Sequence, residues 1–119
     1  MTGPSLVDDA DRRHVAELAR LMSEAARIVE RGEQTFLAQG NPVEFLAGRM
    51  LIIDVDTAAE RISADFKAAH PGDWRALARA RDKYAHHYDD IDRVLVWRVL
   101  ANRFPAWREQ LLTAIGESD

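Results

Sequence analysis

Asp11-Arg-Arg-His-Val-Ala-Glu-Leu-Ala-Arg-Leu-Met-Ser-Glu-Ala-Ala-Arg-Ile-Val-Glu30 is the stretch that decides the fold class. Val15, Leu18, Met22, Ala25, Ala26 and Val29 recur at steps of three and four, so a helical winding gathers them into one apolar stripe while Arg, Glu and Ser take the other side. A strand would need alternation, which is absent. Gly32 supplies the stop.

Working outward, residues 33–40 read as a connector with a short helical turn around Phe36 and Leu37. Asn41-Pro42 then gives an N-cap followed by proline at the first helical position, and no breaker follows until Pro71. Phe45, Ile52, Val55, Ala59, Ile62 and Phe66 form the main stripe of this long second helix. Leu46, Met50 and Ile53 form a second apolar patch on another side. So wide a surface calls for two neighbours, the rest of the bundle and a second copy of the chain, which points to a homodimer. Pro71-Gly72 breaks the chain and Asp73 caps a third helix, on which Trp74, Leu77, Ala78, Arg81, Ala85 and Tyr88 share a face that Arg81 interrupts. From Asp92 to Ile115, Trp97, Leu100, Ala101, Phe104, Leu111 and Ile115 continue the pattern, with Pro105 as a kink or a fresh start. Val94–Leu100 is rich in β-branched residues but does not alternate, so it reads as helix. The expected architecture is one all-α domain over 1–119, an up-down bundle of four to five helices, with 1–10 flexible.

A length of 119 residues suits one core, and 47% apolar content is enough to offset the ordering entropy of a single compact domain. The longest apolar runs, Met50–Ile53 and Val94–Trp97, fall far short of the roughly 20 residues a membrane helix needs. The N-terminus carries neither a basic start nor an apolar run of the secretory kind, so a cytoplasmic protein is expected. Without cysteine there is no disulfide, thiol nucleophile or thiolate zinc site. A net charge of −4 lacks the global footprint of a nucleic-acid binder, so any such contact must be local. Arg75, Arg79, Arg81 and Lys83 offer it, countered by Asp73 and Asp82; a solvated helix face is the plainer reading of that cluster.

The densest polar segment is Arg81-Asp82-Lys83-Tyr84-Ala85-His86-His87-Tyr88-Asp89-Asp90. Arginine offers a planar fork of donors to phosphate oxygens, and histidine can take and return a proton near neutrality. Together they suffice for RNA transesterification, in which the 2′-hydroxyl is the nucleophile and the products are a 2′,3′-cyclic phosphate and a 5′-hydroxyl. One difficulty is geometric: on a continuous helix His86 is rotated about 140° from Arg81 and falls nearer Asp82. Either the helix ends near His86 and lets the imidazole swing round, or another chain completes the site. Two other readings stay open: Arg81 held by Asp54, Asp56 or Glu60 of the second helix, and a metal hydrolase using Asp82 and His86 with His87 or Asp90.

The string Arg81, four residues, His86, one residue, Tyr88 resembles the R-x4-H-x-Y motif of HepT-like proteins of the HEPN superfamily, the toxin half of HepT/MntA toxin–antitoxin pairs. Pro71-Gly72-Asp73-Trp74 before it and Asp90-Ile91-Asp92 to Val96-Trp97 after it are similar to the family's flanks, and the likeness runs from Asp11 to Leu112. The resemblance implies a homodimer whose two motifs meet in a composite cleft, and a metal-independent endoribonuclease, without cofactor, in which Arg81 and His86 are the catalytic pair. It also implies that a cognate MNT-type nucleotidyltransferase antitoxin transfers AMP to Tyr88. Arg79 and Lys83 would then steer RNA, with His87 beside the motif as a further substrate contact. One departure stands out: the family often has Asn after the arginine, and here Asp82 brings a carboxylate that would neutralise Arg81 and repel phosphate. That departure carries the alternative of a catalytically weakened HEPN dimer serving as a nucleotidyltransferase-binding module.

Overall fold

The computed structural model describes residues 7–116, apart from the side chain of Tyr88. Every regular element among them is helical: α1 (Asp9–Ser23), α2 (Ala25–Val29), α3 (Glu33–Phe36), α4 (Val43–Ala59), α5 (Ala64–Ala69), α6 (Trp74–His86), α7 (Arg93–Arg98) and α8 (Phe104–Ala114). The architecture is the expected all-α, HEPN-like one. Four rods dominate it, α1 with α2, α4, α6, and α7 with α8, while α3 and α5 are short links. Of the stretch 1–10, residues 1–6 lie outside the described residues; Asp8 is the N-cap of α1, accepting from the Ala10 N–H at 2.7 Å.

The first helix follows its stripe, burying Val15, Leu18, Ala19 and Met22, with Ala25 continuing the line across a bend at Glu24. The second long helix is shorter than the absence of proline between Pro42 and Pro71 predicts. It stops at Ala59, and Ser63 starts α5 afresh by accepting from the Phe66 N–H at 3.0 Å. A distant carboxylate makes this break: buried Asp11 accepts from the Ser63 N–H at 2.9 Å and from its hydroxyl at 2.5 Å. Such a tie across the chain leaves no local mark in the sequence. Pro42, expected at the first helical position, takes the cap position in an extended conformation. Pro105 stands in the first turn of α8, the fresh start the sequence offered, directly after a π turn over Val99–Arg103 that widens the helix where the proline cannot donate to the previous turn.

Phe36 fills the middle of the core, edge-on to Phe45 at 5.8 Å and tilted on Trp97 at 5.3 Å. Gly48 of α4 lets it in: a Cβ there would stand 2.6 Å from Leu100 Cδ1 and 3.0 Å from the Phe36 ring. Helices α1 and α6 pack on α4, and α8 packs on α1, so α4 lies at the centre. The result is a slab of 57 × 28 × 17 Å, with a radius of gyration of 15.1 Å against about 13.5 Å for a globule of this length. A slab so thin cannot cover all of its central helix. Leu46 and Met50 stay exposed and Ile53 half-buried, the second patch the sequence marked, with Val43 at its edge. Among the described residues, no helix is long and apolar enough to cross a membrane.

Candidate active site

The helix that carries the motif is clamped at both ends. At its start, the Trp74 indole N–H donates to the His70 carbonyl at 3.0 Å and the ring packs edge-on to Trp107 at 4.7 Å. Asp73 occupies the cap position as expected but makes no cap; its carboxylate is taken by Arg103, whose Nε donates at 2.9 Å. Arg103 Nη2 donates to the same oxygen, Oδ2, and a charged donor outcompetes a backbone N–H for it. At the far end, Arg49 of α4 donates from Nη1 to the Tyr84 carbonyl at 2.9 Å, satisfying one of the last-turn acceptors that no helical N–H reaches. The chain leaves through a 3₁₀ turn, Tyr88–Asp90.

The buried face of α6 differs from the expected one. Leu77 and Tyr84 are buried and Ala80 half-buried, while Ala78 and Ala85 face solvent. Leu77, Ala80 and Tyr84 are also spaced by three and four, so the periodicity admits both faces, and the bulk of Tyr84 chooses between them. Burial, followed by the charge of Asp92, pushes the Tyr84 hydroxyl above the ordinary tyrosine pKa, as suits a ring acting as core. Tyr88 falls beyond the helix, in the 3₁₀ turn, and its side chain lies outside the described part of the structure.

Because α6 is unbroken to His86, Arg81 and His86 remain about 140° apart on it. The imidazole has not swung round: His86 Nε2 sits 3.8 Å from Asp82 Oδ1, the ordinary meeting of residues four apart, and its side chain is 65% exposed. Arg81 is half-buried on a different face, with Nε buried and without a hydrogen-bond partner. Among the described residues it forms no ion pair with Asp54, Asp56, Glu60 or Asp82. One protomer therefore brings Asp82 to His86, leaves Arg81 without a direct ion pair among the described residues, and keeps the two motif groups on different faces of α6. Among the described residues no three histidine or carboxylate side chains gather into a set able to hold a metal ion.

Asp56 of α4 is the titratable group that feels Arg81. It is 5% exposed, and burial lifts its carboxyl above the usual range; Glu60 adds to the shift, while Arg81 and Lys67 oppose it. The folded chain thus holds this proton more tightly than the unfolded chain. Its contribution to stability is greatest below the unfolded carboxyl pKa and declines as pH rises through the raised folded value. Asp56→Asn keeps the shape and removes the charge. The variant is expected to match the wild type in acid and to melt higher at neutral pH; a lower neutral melting point would mean that the carboxylate is needed to hold Arg81.

Arg75, Arg79 and Lys83 line a shallow hollow of about 650 Å³ beside His87, with Ala78, Asp82 and Asp90 completing it. A larger hollow of about 920 Å³ between α2 and α4 contains none of the motif residues.

Residues 18–114 match the ribonuclease HepT-like family. A "Probable ribonuclease HepT" of Thermococcus cleftensis is 33% identical over 93 residues, which cover 77% of this chain and 81% of that protein. A "Putative RNase" of Methanocaldococcus jannaschii is 33% identical over 52 residues, 43% of each chain. No solved structure matches.

Proposed function

The chain belongs to the HepT-like ribonuclease family, and from that premise we propose that it is the endoribonuclease toxin of a HepT/MntA-type pair, acting as a homodimer with a composite cleft. Arg81 of one copy and His86 of the other then address the same phosphodiester. What supports this reading is the unbroken α6, which keeps the two groups on different faces of one chain while His86 stays open to solvent. The uncovered patch of α4 at Leu46 and Met50 offers apolar area to an interface.

In the proposed reaction, one His86 takes the proton from the 2′-hydroxyl, and the 2′-oxygen attacks phosphorus. The P–O5′ bond breaks, and the 5′-oxygen takes a proton back from the imidazolium so formed. Arg81 holds the non-bridging oxygens as charge develops on them. Arg79 and Lys83 draw RNA toward the cleft, which His87 and Asp82 border. An AMP group placed on Tyr88 by an MNT-type nucleotidyltransferase blocks the cleft by bulk and charge.

The second reading, a weakened dimer that binds the nucleotidyltransferase, is favoured by one observation: the exposed Asp82 carboxylate beside His86 repels incoming phosphate. The two part on one experiment, in which the purified chain is incubated with RNA in excess EDTA, before and after treatment with an MNT-type nucleotidyltransferase and ATP. Cleavage to 2′,3′-cyclic phosphate and 5′-hydroxyl ends, then its loss together with an AMP mass gain on the Tyr88 peptide, is the expected result. A chain that binds the nucleotidyltransferase but cuts no RNA establishes the second reading; cleavage abolished by EDTA overturns the metal-free mechanism.

A further inference from the structure

Arg75, Arg79 and Lys83 stand four residues apart on α6, and His87 extends the series at the helix end. Four helical residues advance about 6 Å and turn only about 40°, so the side chains form a slowly slanting row rather than a scattered collar. All four are exposed and line the same hollow, together with the small side chain of Ala78.

Most of the other cations have a hydrogen-bond, ion-pair or ring partner within the protein, with Arg13, Arg61, Arg81 and Arg98 as scattered exceptions among the described residues. Arg20 is paired with Glu17, Arg27 with Glu24, Arg31 with Glu44, and Arg103 with Asp73. Arg93 donates to the Gly40 carbonyl and to Asn41. Among the described residues, Arg75, Arg79 and Lys83 have no ion pair or hydrogen bond, although the protein is acidic overall and carboxylates are plentiful. Of the two carboxylates in the hollow, Asp82 turns to His86. Unpaired cations at even spacing suit a polymer with one negative charge per repeat.

We infer that this row is a phosphate track for single-stranded RNA, one phosphate to each of Arg75, Arg79 and Lys83, with His87 at the end nearest His86. The strand flanking the cleavage position runs along α6 away from His86, toward Asp73. The assignment rests on the ribonuclease reading and adds to it a direction and a footprint. The row carries no aromatic ring for stacking and no planar amide for reading base edges, so the contact is to the backbone and indifferent to sequence.

The test is binding of a 2′-O-methylated, uncleavable RNA at a series of salt concentrations, by the wild type and by the triple variant Arg75→Gln, Arg79→Gln, Lys83→Gln. Each lost phosphate contact is expected to flatten the log–log salt slope by about 0.7, so the triple variant loses about two. A variant with Arg75→Lys and Arg79→Lys keeps the slope, because charge rather than fork geometry is used. Thermal midpoints report whether each variant folds. On cleavable RNA the loss falls on KM more than on kcat. A triple variant that folds and keeps the wild-type slope, while the wild type cuts RNA, overturns the track and leaves the nuclease reading intact. A wild type that neither binds nor cuts RNA overturns both. Loss of nucleotidyltransferase binding with an unchanged RNA slope makes the row a protein-docking face instead, and also overturns the track.

Discussion

His86→Ala is expected to lower RNA cleavage by about 10²- to 10⁴-fold, the range a positioned proton-transfer group supplies. The fold should be untouched. The side chain is 65% exposed, and Asp82, 3.8 Å away and 71% exposed, gives it a surface contact worth little to stability. Single-turnover cleavage and a melting curve on the same preparation check both halves. Activity that survives the substitution removes His86 from the mechanism, and with it the proton transfer to the 5′-oxygen.

Arg81→Lys is the second large effect, an expected loss of about 10²- to 10³-fold in kcat, as when one preorganised donor to a developing charge is removed. Lysine keeps the positive charge but not the planar fork that holds two phosphate oxygens at once. The half-buried stem has a replacement, and the buried Nε that lacks a partner disappears, so stability should not fall with activity. The pair of variants then addresses the two-chain cleft directly. Mixed and allowed to exchange subunits, Arg81→Lys and His86→Ala chains form heterodimers in which an intact Arg81 on one chain meets an intact His86 on the other. Recovery of cleavage on mixing is expected. If the two groups worked within one chain, no heterodimer would hold an intact pair and the mixture would stay inactive.

Asp82 takes on a different meaning in three dimensions. From sequence its neighbour is Arg81, one residue away, and neutralisation follows. On the helix that single step is a rotation of about 100°, and the carboxylate faces His86 four residues on, leaving Arg81 without an ion pair. The carboxylate therefore stands beside the imidazole rather than against the guanidinium.

The all-α class was legible in the sequence because helical periodicity is a local property: Val15, Leu18 and Met22 line up whatever else the chain does. The motif was equally legible, since Arg81, His86 and Tyr88 are close in the chain. What the tertiary structure decided arises between elements distant in sequence. Asp11 breaks the second long helix at Ser63 across 52 residues, and Arg49 closes the last turn of α6 from 35 residues away. Leu77 and Tyr84 settled which of two equally periodic faces α6 buries against α4. A periodic pattern states that a stripe exists; only the surface packed against it selects the residues that leave water, because burial is a property of the neighbour as much as of the helix.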